Sequence, residues 1–60
     1  MTTPTPAQLS AATAAITKMA QAIIAEKVPG IFQGSAQSYL AEFAPQAASV
    51  AVTAALAVGD

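Results

Sequence analysis

Five charged residues in sixty set the terms for this chain: Lys18, Glu26, Lys27, Glu42 and Asp60. That is 8 % of the sequence, where an ordinary soluble domain carries about 25 %. A small domain normally clothes its large exposed surface in such side chains. This chain is instead 55 % hydrophobic. Most of its surface is therefore expected to meet something other than water: copies of itself, a larger assembly, or lipid.

Size sharpens the point. Residues 1–60 make a single small domain, and a chain this short buries only about 60 % of its unfolded surface. Such scaffolds are usually held by disulfides, a metal or oligomerisation. With no cysteine and no histidine, disulfides and the usual zinc or haem ligands are excluded. Oligomerisation or docking remains. Net charge is −1, with two lysines and no arginine, which excludes a phosphate-neutralising nucleic-acid surface and a polybasic membrane patch. The amino terminus lacks the basic segment and apolar run of a secretory signal.

The fold is expected to be all-α, a two-helix antiparallel hairpin preceded by an extended arm at residues 1–5. Pro4 and Pro6 hold that arm extended. Thr5, Pro6 and Gln8 then stand as N-cap, N1 and N3 of a helix over residues 6–27, a capping-box pattern with proline where a helix tolerates it. Leu9, Ile16 and Ile23 recur every seven residues along it. Lys27 suits the negative end of the helix dipole, and Pro29-Gly30 stops the helix. Residues 28–34 read as a loop with two turn glycines, Gly30 and Gly34. Ser35 reads as N-cap of a second helix at about 36–58, kinked or broken at Pro45.

Arcs at helical spacing divide the apolar residues into two sets. Leu9, Ile16, Ile23, Leu40, Phe43 and Val50 are expected in the seam between the two helices. Val52 and Leu56, beside the small residues Ala47, Ala51 and Ala55, form a second strip expected to face another chain. Ala7, Ala11 and Ala15 make a comparable row on the first helix. Such rows allow close helix approach, although a chain this rich in alanine also yields them from composition alone. The lone chain is accordingly not expected to be a stable monomer.

The chemistry on offer is thin. Without His or Cys, the commonest general base and the thiol nucleophile are missing. Glu26 and Glu42 form a carboxylate pair only if the hairpin brings them together, and solvated positions are the simpler reading. Lys18 and Glu42 suit either solvent or a pairing between subunits. Tyr39 and Phe43, four apart with Phe32 nearby, read as local core before they read as a ligand site. No nucleophile elbow and no phosphate loop is present. No cofactor or metal is expected, and no enzyme activity.

The expected role is a small structural subunit of a large protein assembly. A bacteriophage virion component, of minor capsid, cement or lining type, is the specific form favoured, with other protein subunits as partners. The alternative is a small membrane-associated protein, either an accessory subunit of a membrane complex or a holin-like pore former. Phe43–Gly59 runs without a charge, but it is rich in alanine and lacks flanking Lys or Arg anchors.

Overall fold

A computed structural model describes residues 3–58. The expectations for Met1 and Thr2 in the arm, and for Gly59 and Asp60 at the other end, lie outside the described residues. Two helices form an antiparallel hairpin: α1, Pro6–Lys27, and α2, Gly30–Val58. Among the described residues all regular structure is helical.

The start of α1 follows from its side chains. The Thr5 amide donates to Gln8 Oε1 at 3.0 Å, and the Gln8 amide donates to Thr5 Oγ1 at 3.1 Å. Two backbone donors and both side chains are satisfied reciprocally. Thr5 is extended, with φ −85° and ψ 156°, and Pro6 follows at the head of the helix. The far end is set by Pro29. Val28 is pushed to φ −95° and ψ 127°, the extended range that a residue before proline prefers. Its amide still donates to the Ile24 carbonyl at 3.0 Å.

The connection is shorter than the expected loop at 28–34. Only Val28 and Pro29 separate the helices, and α2 begins at Gly30. The Pro29 carbonyl accepts from the Phe32 amide at 2.9 Å, and Gln33 Nε2 reaches back to the Val28 carbonyl at 3.1 Å. These bonds close the turn without further residues. Neither Gly30 nor Gly34 has a positive φ; both are ordinary helical residues. Ser35 lies inside α2 and caps nothing. Pro45 also lies inside α2 and does not break it. It leaves the Ala41 carbonyl without an amide donor, but Ala41 and Pro45 are both exposed, so water can serve that oxygen.

The core is narrow. Among the described residues Ile24, Leu40, Ala44 and Ala48 are buried. Ile16, Ala20, Val28 and Ala36 pack around the cluster of Ile24, Leu40 and Ala44. These residues fall on two unbroken apolar rows with a spacing of four. One is Ala12-Ile16-Ala20-Ile24-Val28; the other is Ala36-Leu40-Ala44-Ala48-Val52-Leu56. Alanine at the contact lets the two backbones come close.

This corrects the expected seam. Leu40 is buried, with 1 % of its surface exposed, and Leu9 and Ile16 are half-buried. Ile23, Phe43 and Val50 are not core residues; they are 54 %, 46 % and 72 % exposed. Val52 and Leu56 do not form an outward strip. They continue the inner row and are half-buried, as is Ala47, while Ala51 and Ala55 are exposed. Ala7, Ala11 and Ala15 are exposed too; the alanines at the contact are others. A row with a spacing of four precesses by about 40° per step around a helix. The contact therefore crosses the face on a diagonal, and α2 is turned by roughly a quarter of a revolution from the arc that its largest side chains define.

Candidate functional site: an exposed apolar face

The hairpin is a rod measuring 44 × 16 × 13 Å. Its radius of gyration is 13.5 Å, against about 10 Å for a compact globule of sixty residues. It exposes 4358 Å², whereas a folded monomer of this mass exposes about 3,600 Å². The excess, about 800 Å², matches the area that one partner contributes to a standard protein–protein interface.

The uncovered area is apolar and sits largely on one side. Phe32, Tyr39, Phe43 and Val50 follow one another along α2 at spacings of seven, four and seven, and all are exposed. On α1, Met19 and Ile23 are exposed and four apart. In an antiparallel hairpin the α2 residues lie about a quarter turn from the α1 contact, and Met19 and Ile23 lie a similar turn from the α2 contact on the same side. The six side chains therefore border one face. The opposite side carries Lys18, Gln21, Gln37, Ser38 and Ser49 among alanines.

The far end of α2 adds to this surface. α2 has 29 residues and α1 has 22, so α2 overhangs by about 10 Å at 1.5 Å per residue. Its last turns, Ala54-Ala55-Leu56-Ala57-Val58, contain no polar side chain, and Val58 is exposed. α2 is also long and apolar enough to cross a membrane, with a mean hydropathy of 1.3 over its best window. Only 11 % of that window is buried within the hairpin, so the apolar character of α2 does not come from serving as a core helix.

The described residues that carry chemistry are spread along the hairpin rather than gathered in a cleft. Ser35, Ser38, Tyr39 and Glu42 line a shallow depression, but all four stand on one helix and leave it open to solvent. Glu26 and Glu42 are both exposed and lie at different heights of the hairpin, one beside the turn and the other about three turns of helix away from it. Among the described residues no group of three or more His, Cys, Asp or Glu side chains is placed to hold a metal ion, and no polar or charged residue is buried. The aromatic residues expected as local core are surface residues instead. The signal for that was present in the sequence: Phe32, Tyr39, Phe43 and Val50 share one coiled-coil-like register, while the row that became the core runs beside it. Comparison with protein-family models, with curated proteins and with solved structures finds no match to this chain.

Proposed function

We propose that this chain is a small non-enzymatic structural subunit that works by packing into a larger protein assembly. One observation carries the reading: a face of bulky apolar side chains lies outside the hairpin core, with Glu42 only at its edge. Two further features support it. The hairpin core is too small to dominate the energetics, since two of its four buried residues are alanines. The rod shape presents long sides to neighbours. A virion component of a bacteriophage, of minor capsid, cement or lining type, is the specific form we propose. A shell of many identical copies supplies protein neighbours on several sides at once, and so relieves a subunit of the need for a charged coat.

The length and apolarity of α2 favour a second reading, a membrane-associated protein, either an accessory subunit of a membrane complex or a holin-like pore former. Glu42 weighs against it. It is exposed at the head of the charge-free stretch Phe43–Val58, which is shorter than the roughly 20 apolar residues that a span needs. Gln33, Gln37, Gln46 and Ser49 add polar groups on several sides of the same helix. Fractionation of the natural source separates the readings. A chain that sediments with particles after a detergent wash supports the assembly role; a chain released by detergent from the membrane fraction overturns it.

A further inference from the structure

The face that α2 leaves uncovered has an internal order that singles out its occupant. Eight positions, spaced alternately four and three apart, run the length of the helix: Phe32, Ala36, Tyr39, Phe43, Gln46, Val50, Thr53 and Ala57. This is the seam of a two-stranded coiled coil sustained for more than three heptads. Its bulk is unevenly spread. The three aromatic residues occupy the half nearer the hinge, and the other half holds Val50, Thr53 and Ala57.

We propose that this seam is the contact with a second copy of the chain, with the two α2 helices antiparallel. The axis of symmetry then passes between Phe43 and Gln46. Phe32 faces Ala57 of the second copy, Ala36 faces Thr53, Tyr39 faces Val50 and Phe43 faces Gln46. No layer sets two aromatic side chains against each other, and none is left without a larger neighbour except Ala36 with Thr53, where Ala36 is already half-buried in the hairpin. A parallel pairing does the opposite. It stacks Phe32, Tyr39 and Phe43 on their own copies at one end and leaves a gap at Val50, Thr53 and Ala57 at the other. Even filling is what close packing requires.

Three further observations fit a second copy. The eight seam positions carry no charge, so they can meet their copies without repulsion, with Glu42 at the flank of the seam. The surface in excess of a compact monomer, about 800 Å², is enough for one partner's share of a standard interface. Antiparallel pairing also lays the overhanging end of each α2 beside the hinge end of the other, where α1 does not reach. Gln46 lies close to the symmetry axis from both sides. The two copies of Gln46 then lie within one helical turn of each other along the seam, and a polar pair at that point favours this register over slipped ones.

The inference rests on the reading that protein covers this face, and it names the protein. Sedimentation equilibrium of the full chain in detergent-free buffer tests it, with circular dichroism to follow helicity. The parent chain is expected at twice its mass of 5.9 kDa. Tyr39→Glu and Val50→Lys alter residues that the hairpin leaves 68 % and 72 % exposed, so each variant stays helical. Each alone weakens dimerisation by about a hundredfold or more, by forcing a charge into an apolar seam. Combined in one chain they restore the dimer, because position 39 of each copy meets position 50 of the other. A parent chain that stays monomeric at tens of micromolar, or single variants that dimerise like the parent, overturns the proposal. Single variants that dissociate with no rescue in the double variant overturn the antiparallel register. A monomer that still sediments with particles from its source refutes self-pairing and leaves the assembly role standing. A dimer released from membranes by detergent refutes the assembly role and leaves self-pairing standing.

Discussion

Replacing Leu40 with alanine should remove most of what holds the hairpin together, whereas Phe43→Ala should not. Leu40 is the one large side chain fully buried among the described residues, with 1 % exposure. Truncation deletes three carbons from a site where Ile24 and Ala44 cannot both close the gap. Leu→Ala at buried sites costs about 2–5 kcal/mol; a cleft between only two helices can partly collapse, so the lower half, about 2–3 kcal/mol, is expected here. A chain of this size has roughly 3–9 kcal/mol in all, so the variant is near its limit. Phe43 is larger but 46 % exposed, and within the hairpin its loss should cost only about 1 kcal/mol. Urea denaturation followed by circular dichroism measures both. Repeating it over a range of chain concentrations separates folding from association, because only an effect on association changes with concentration. The Leu40→Ala deficit should be the same at every concentration, and the Phe43→Ala deficit should grow as concentration rises. If Phe43→Ala is the more damaging change at the lowest concentration, the seam described above is wrong.

Four other substitutions probe particular features. Ala48 has 0 % exposure, so Ala48→Leu should force the helices apart and destabilise by about 1–3 kcal/mol, while Ala22→Leu on the exposed outer side of α1 should stay within about 0.5 kcal/mol of the parent; thermal melts at one concentration compare them. Gly34 is helical without a positive φ, and a Cβ added there meets nothing within 4 Å, so Gly34→Ala should stabilise by about 0.4–1 kcal/mol in the same melts. Pro45→Ala returns an amide to the Ala41 carbonyl and should raise stability by roughly 1–3 kcal/mol; a melt no higher than the parent's would show that the proline is accommodated by something other than solvent.

Much of the architecture can be read from the sequence, because local chemistry determines it. Thr5, Pro6 and Gln8 specify the start of α1 within a few residues of chain, and Pro29 specifies its end. The number of helices and their pairing follow from those signals and from apolar periodicity. The head of α2 is harder to read. Glycine and proline together suggest a loop, but the Gln33 side chain and the Pro29 carbonyl close the turn in two residues, and that depends on groups that meet only once the chain has folded. The seam is misjudged for a different reason. Weighting residues by size selects Phe43, Ile23 and Val50, whereas two bare helices pack best where alanine lets them approach. The unbroken row from Ala36 to Leu56 carries that information in its spacing of four. The displaced aromatic residues then become the surface on which the proposed function depends.

That surface carries its own probe. Tyr39 is the single tyrosine, and the chain has no tryptophan, so intrinsic fluorescence reports on one exposed position of the apolar face. Quenching of Tyr39 by aqueous acrylamide, measured against chain concentration in detergent-free buffer and again with vesicles of brominated lipid, tests directly whether protein covers the face. Protein coverage predicts that quenching falls steeply as concentration rises and that brominated lipid adds nothing. Quenching as strong as that of free tyrosine at every concentration, or protection gained only when brominated lipid itself quenches the signal, would contradict it.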